Sequence, residues 1–157
     1  MADQSDDAAK QICEGHLDLT GTALMSGDFG SFASAFHLPQ HLAMDGKKVL
    51  ISTRSELKSV FDNMHAHFKS MGVTELLRFI EAASFTSPTR ITATHVIRNG
   101  QRLDAPDPVY SVIEKIDGNW LIVSGDHALD EKSGQGRALM SAGKSTLLDD
   151  GLSDTEN

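Results

Sequence analysis

Hydrophobic residues recur every three to four positions in three stretches of the first half of the chain. This is the spacing of an amphipathic helix. The pattern predicts helices over 8–26, over 29–36 and between Thr53 and Gly72. The third helix is the best delimited, because Thr53 and Glu56 form a T-x-x-E capping box and Gly72 suits the position just after a helix end.

After residue 72 the hydrophobic pattern changes from a period of 3.6 to a period of two, which is typical of strands. We expect one long strand over 73–86, bulged near Ala82, and then a meander of shorter strands up to residue 126. Three dipeptides suit two-residue hairpin turns: Asp45-Gly46, Asn99-Gly100 and Asp117-Gly118. The sequence therefore predicts an α+β domain in which three N-terminal helices pack in a strongly curved, mostly antiparallel, six-stranded sheet.

The composition fits one globular domain. The chain has 157 residues, of which 39% are hydrophobic and 23% charged. We expect a disordered N-terminus over 1–7, a single domain over 8–128, and an acidic tail over 129–157 that is rich in Gly and Ser. No apolar run approaches the roughly 20 residues of a membrane span, and the acidic opening segment does not look like a signal peptide.

The net charge of the chain argues against two classes of binding partner. The formal net charge is −8, and no basic stripe interrupts it, so neither nucleic acid nor an anionic membrane is an expected partner. Cys13 is the single cysteine, which excludes an internal disulfide and favours a cytoplasmic location.

The element order and four motifs resemble the nuclear transport factor 2-like superfamily. The motifs are F-H-L-P at 36–39, the capping box at 53–56, R-N-G at 98–100, and Y-x-V-x-E-x-x-D-G-x-W-x-I-V at 110–123. The resemblance covers residues 8–128. It implies a cystatin-like cone with a pocket at its open end, and frequent dimers through the outer face of the sheet. The family includes ketosteroid isomerases, scytalone dehydratase, SnoaL-like polyketide cyclases and binding modules, so it does not determine the function.

Two histidines are candidates for the polar end of such a pocket. His16 lies within the apolar stripe of the first helix and therefore points inward. The resemblance makes a polar pocket residue on this helix relevant, and the alternative is a core histidine that is bonded to a backbone carbonyl. His37 precedes Leu38-Pro39, near the expected mouth of the cone. Both are interpreted as catalytic or ligand-contacting residues, since histidine is the usual acid or base at neutral pH.

A third histidine has a candidate partner. If Asn99-Gly100 forms a two-residue turn, His95 stands directly opposite Asp104, about 5 Å away at Cβ. A carboxylate in that place would orient the imidazole as a general base. The alternatives are a surface ion pair of little energetic value and a register that nearby Pro106 shifts.

The remaining candidates are predicted to bind a ligand. If the Asp117-Gly118 turn has two residues, Tyr110 shares one face of the sheet with His127, and Trp120 lies on the other face. The sequence does not show which face lines the pocket. The predicted ligand-binding residues are Phe36, His41, Phe61, Tyr110, Trp120 and His127.

No metal or nucleotide cofactor is expected. Pro39 stands between His37 and His41, so these two histidines cannot share one helical face as zinc ligands. Residues 138–145 loosely match a phosphate-binding loop, but no strand is predicted before them.

These observations leave three functions open. The first is a homodimeric pocket protein that binds a small, largely apolar molecule. The second is a cofactor-free isomerase, dehydratase or cyclase that uses histidine acid–base chemistry. The third is an interaction domain whose pocket is vestigial.

Overall fold

The computed structural model describes residues 3–44, 47–97, 107–127 and 144–145. It contains three helices: α1 (Asp6–Ser26), α2 (Phe29–Ala33) and α3 (Arg54–Ser70). The strands are β1 (Phe36–Met44), β2 (Lys47–Ile51), β3 (Arg78–Ser87), β4 (Arg90–Ile97), β5 (Asp107–Ile116), β6 (Asn119–His127) and the short β7 (Lys144–Ser145). No helix among the described residues has the length and hydropathy needed to cross a membrane.

The helix ends follow local capping signals. The α1 helix starts two residues before the predicted position, because the Ser5 side chain accepts a hydrogen bond from the backbone N–H of Ala8. The predicted capping box of α3 is confirmed, with Thr53 and Glu56 each bonded to the other's backbone N–H. Gly72 follows α3 with φ of 72°, as expected for the glycine after a helix.

The second helix is shorter than predicted. It ends at Ala33, and Phe36 opens β1 instead of continuing the helix. The cause is pairing with the distant strand β6: the Ala35 carbonyl accepts a hydrogen bond of 2.8 Å from the N–H of Ile122, and Phe36 pairs with Ile122. A long-range strand pairing has overridden the local helical spacing.

The strands form one sheet in the order β3-β4-β5-β6-β1-β2-β7. All recorded pairs are antiparallel except β1 with β6, which is parallel. The predicted α+β class, the three helices and the mostly antiparallel sheet are therefore confirmed. The six long strands match the predicted number, and β7 adds two residues beside β2.

The predicted turn at Asn99-Gly100 is wrong as a two-residue hairpin. The antiparallel pairing runs to Ile97 opposite Asp107, so residues 98–106 connect β4 to β5. Those nine residues, together with the strand expected over 101–105, lie outside the described part of the chain. By contrast, the Asp117-Gly118 turn is confirmed: Ile116 pairs with Asn119, and both turn residues have positive φ.

Two β-bulges change which side chains face inward. Glu81 is the extra residue between the pairs at Ile80 and Ala82, close to the predicted bulge. The bulge at Val123 was not predicted. It lies between the pairs Val112–Ser124 and Ile113–Ile122, and it moves the side chains beyond it to the opposite face.

Hydrophobic side chains on the helix-covered face of the sheet form two core clusters. The larger includes Phe61 and Phe68 of α3 together with Met44 and Ile51. The smaller joins the start of α1 to β3, β4 and β5, around Cys13 and Ile113. The cavity described below is lined by residues from both clusters.

Candidate functional site

A cavity of about 120 Å³ lies between the helices and the inner face of the sheet. Its walls are mainly aliphatic and aromatic side chains from α1, α2, α3 and the strands. The apolar residues that line it are Cys13, Leu17, Leu24, Phe32, Phe36, Leu42, Ile51, Leu57, Val60, Met64, Phe68, Leu76, Ile80, Ile97, Val109, Ile113 and Ile122.

Three polar side chains of the lining interact electrostatically, and we call Arg78, His95 and His127 the polar end. The strand register brings the two histidines into one row, because His95 and His127 both pair with Val109 from opposite sides of β5. Arg78 lies on β3, which pairs with β4. The polar end therefore comes from three different strands.

Arg78 forms no recorded ion pair with an acidic side chain of the described residues. One terminal nitrogen donates to the Leu17 carbonyl (2.6 Å) and to the Thr20 hydroxyl (2.8 Å). The Nε atom is buried and has no hydrogen-bond partner among the described residues. Burial lowers the pKa of Arg78 to about 10, while Asp18 acts in the opposite direction, so the guanidinium is still cationic at neutral pH.

The histidines of the polar end are neutral at neutral pH. Burial, together with the charges of Arg78 and His127, lowers the pKa of His95 to about 3. Burial and the charge of Arg78 lower the pKa of His127 to about 4. The Nδ1 atom of His127 is buried without a partner, and the ring lies close to the backbone of Gly125.

Gln40 is a further polar group that faces the cavity, from β1. Its side chain is 2% exposed, and its Oε1 atom has no hydrogen-bond partner in the described structure. A buried amide oxygen without a donor is rare in native proteins and calls for a physical explanation.

His16 lines the cavity, but both its ring nitrogens face backbone oxygens. Nε2 lies 2.7 Å from the carbonyl oxygen of Trp120, and Nδ1 lies 3.0 Å from that of Ile12. The imidazole therefore connects α1 to β6. This geometry corresponds to the alternative interpretation, a core histidine bonded to backbone, and leaves neither nitrogen directed at a ligand.

Four of the ten predicted site residues line the cavity: His16, Phe36, His95 and His127. His37 is partly buried on β1 but is not part of the lining, so the predicted pairing of His16 with His37 at one polar end is wrong. The polar end contains His95 and His127 in their place.

Four other candidates lie away from the cavity. His41 and Tyr110 are exposed on the opposite face of the sheet. Phe61 is buried against Phe29 and Phe32. The ring of Trp120 packs edge-on against Phe85 and against the smaller core cluster, and its carbonyl contacts His16, but Trp120 is not part of the cavity lining.

The residue directly opposite His95 is not Asp104, as a two-residue turn would require. His95 stands opposite Val109 in the ladder, because the connection between β4 and β5 is longer than two residues. Asp104 itself lies outside the described residues. The prediction that His127 shares a face with Tyr110 is also wrong, since the bulge at Val123 places His127 opposite Val109 on the inner face.

Sequence reasoning missed Arg78 and Gln40. A signal was present in both cases, because strand side chains two residues apart share a face. Arg78 alternates with Leu76 and Ile80, and Gln40 precedes Leu42 by two, so both polar residues stand in otherwise inward-facing apolar series.

Neither a metal cluster nor a nucleotide loop emerges from the part of the chain that is described. No group of three His, Cys, Asp or Glu side chains there is arranged to hold a metal ion. Lys144 and Ser145, which complete the loose phosphate-loop match, pair with β2 as a strand. Cys13 is buried, and burial together with Glu14 raises the pKa of its thiol to about 11, which makes the thiol unreactive.

Comparison with solved structures identifies the fold. No protein-family model and no curated protein matches the chain. An NTF-2-like protein of unknown function from Shewanella oneidensis MR-1 is 17% identical, with a TM-score of 0.53 over 76% of this chain and 98% of that chain. A domain of unknown function with a cystatin-like fold from Nostoc punctiforme is 16% identical, with a TM-score of 0.57 over 96% and 86%. An NTF2-like protein of unknown function from Shewanella baltica is 14% identical, with a TM-score of 0.58 over 80% and 96%.

These similarities confirm the fold that the sequence motifs indicated. The chain has the NTF2-like, cystatin-like fold. At such low identities the likeness concerns the fold alone, and the function has to be argued from the cavity.

Proposed function

We propose that this protein binds a small, largely apolar molecule in the cavity between the helices and the sheet. The observation that carries the proposal is that three buried polar atoms, on residues that line a mainly apolar cavity, have no hydrogen-bond partner among the described residues. They are Nε of Arg78, Oε1 of Gln40 and Nδ1 of His127. Each unpaired group costs the folded protein about 1–3 kcal/mol, and a ligand with matching polar groups would remove that cost.

The size of the cavity limits the ligand. A volume of about 120 Å³ is somewhat below that of an engineered apolar cavity of about 150 Å³ that binds benzene. The cavity therefore suits a small molecule close in size to benzene.

The electrostatics favour binding over the alternative of histidine acid–base catalysis. A general base works best when its pKa lies near the operating pH. The pKa values of His95 and His127 are lowered to about 3 and about 4, so both accept a proton weakly at pH 7. His16, the third cavity histidine, has a backbone carbonyl oxygen within 3.0 Å of each ring nitrogen, so neither nitrogen is directed at a ligand. We therefore propose a binding module and not an isomerase, dehydratase or cyclase.

Titration with 1-hexanol, followed by NMR of the backbone amides, tests the proposal. We expect saturable shifts that are confined to residues around the cavity. Ser111 faces the cavity between Ala93 and Gly125, so the substitution Ser111→Leu should fill it and weaken binding at least about tenfold.

Ser84→Leu, on the exposed face of β3, is the matched control and should leave the affinity unchanged. Shifts spread over the surface, or equal affinities for the two variants, would contradict a cavity site.

We also propose that the protein forms a homodimer through the outer face of the sheet. Phe79 and Tyr110 are 50% and 59% exposed on that face, and the helices cover the other. Light scattering should give twice the chain mass of 16.9 kDa at tens of micromolar, and a mass of one chain would refute the dimer. The cytoplasmic location stays a prediction.

A further inference from the structure

Arg78 is the one Lys, Arg, Asp or Glu side chain in the lining of the cavity, as far as the chain is described. We propose that the bound molecule is a carboxylic acid in its ionised form, with its carboxylate at Arg78 and its hydrocarbon part against the apolar walls. This proposal rests on the binding function proposed above and adds the chemical class of the ligand.

Arg78 has no direct counter-ion among the residues that the structure describes. The ion pairs recorded for the described residues are Lys58–Asp62 and Arg90–Glu114, and neither includes Arg78. The guanidinium donates to two neutral oxygens on α1, those of Leu17 and Thr20. A partly buried cation whose partners are neutral is stabilised by an anion within hydrogen-bond distance.

One donor of the guanidinium has no hydrogen-bond partner among the described residues. The Nε–H group is buried and bonds to no described residue, although Arg78 lines the cavity. A carboxylate oxygen is the acceptor that a guanidinium N–H binds best, because both partners are charged.

The surroundings of Arg78 favour an anion over other polar groups. No carboxylate of the described chain lines the cavity with it. Two exposed acids, Asp18 and Glu75, line a separate pocket that Arg78 also borders, and Asp18 acts electrostatically on the guanidinium. The charge of Arg78 also contributes to the low pKa values of His95 and His127, which indicates a positive potential at the polar end. Such a potential attracts a carboxylate and repels an ammonium group.

Three ligands of equal chain length test the inference on the unmodified full-length protein at pH 7. Hexanoate, 1-hexanol and hexylammonium are titrated separately, with NMR as the readout. We expect hexanoate to bind about tenfold to a hundredfold more tightly than 1-hexanol, as befits one hydrogen bond between charged groups. Hexylammonium should bind more weakly than either.

Substitutions at Arg78 then test whether this residue causes the preference for hexanoate over 1-hexanol. Arg78→Met should remove the advantage of hexanoate while 1-hexanol still binds, and Arg78→Lys should retain part of it. Arg90→Met, which removes an exposed arginine outside the cavity, is the matched control and should keep the full preference.

The outcomes separate the two proposals. Equal binding of hexanoate and 1-hexanol, or tighter binding of hexylammonium, would overturn the carboxylate inference and leave the binding function intact. Binding of none of the three would overturn both. Because the ligand series uses the unmodified protein, it decides the question even if Arg78→Met does not fold.

Discussion

Two inward-facing histidines, one on the α1 side of the cavity and one at the polar end, differ in what their nitrogens contact. His16 has a carbonyl oxygen within 3.0 Å of each ring nitrogen. His127 has a buried Nδ1 with no partner among the described residues. Both imidazoles reach the same cavity, yet one connects two elements of the fold and the other leaves a polar atom unpaired.

The difference shows what an inward-facing histidine indicates. Such a residue is structural where the backbone of another element supplies acceptors, as the Trp120 carbonyl does for His16. It indicates a ligand site where the fold supplies none and other polar groups gather beside it, as Arg78 and His95 do near His127. Three measurements of stability test this contrast.

The largest expected effect is an acid-induced loss of stability that originates at the polar end. In the folded protein the pKa values of His95 and His127 are about 3 and about 4, whereas in the unfolded chain both histidines titrate near 6.5. As the pH falls from about 6.5 towards 4, the unfolded chain binds protons that the folded protein does not. The free energy of unfolding should therefore fall, by up to about 1.4 kcal/mol per pH unit for each histidine.

Urea denaturation at a series of pH values measures this slope. The variant His95→Asn should lose the contribution of one histidine, so its stability should depend less steeply on pH than that of the unmodified protein. Identical slopes would show that His95 is protonated in the folded state and that the polar end is more hydrated than the structure indicates.

The second-largest expected effect is the loss of stability when His16 is replaced. The substitution His16→Ala removes the hydrogen bond to Trp120, leaves that carbonyl without its partner and opens space beside α1. We expect the free energy of unfolding to fall by about 2–3 kcal/mol, measured by urea denaturation at pH 7.

His41→Ala is the control for this substitution, because His41 is exposed on the outer face and should change stability by less than about 0.5 kcal/mol. A small effect of His16→Ala on stability together with a large loss of ligand affinity would show that His16 belongs to the binding site after all.

The smallest expected effects on stability come from alanine substitutions at two glycines, one beside His127 and one away from the cavity. A Cβ at Gly125 would lie 3.2 Å from Nε2 of His127 and 3.8 Å from a methyl carbon of Leu42. We expect Gly125→Ala to destabilise the fold by about 1 kcal/mol and to displace the imidazole of His127.

At Gly15, on the exposed side of α1, a Cβ would meet nothing within 4 Å. Gly15→Ala should therefore stabilise the fold by about 0.5–1 kcal/mol, since alanine favours a helix. Both changes are measurable as shifts of the thermal midpoint, and a stabilising Gly125→Ala would mean that the ring of His127 moves freely.

The sequence by itself determined the features that depend on neighbouring residues. The capping box of Thr53 and Glu56 and the turn at Asp117-Gly118 are found where they were predicted. Each of these signals is complete within two to four residues, so no distant contact can easily displace it. The element order, which follows from these signals and the hydrophobic periods, also indicated the correct fold.

Which side chains line the cavity was decided by the tertiary structure. One extra residue at Val123 turned His127 inward, a longer connection moved His95 opposite Val109, and pairing with β6 ended the second helix before Phe36. Each outcome depends on the register between strands that are distant in the sequence. Because strand side chains alternate between faces, a shift of one residue exchanges the inner and outer sets. The spacing of two placed Arg78 and Gln40 on the same face as apolar neighbours, but only the pairing of their strands made that face the wall of the cavity.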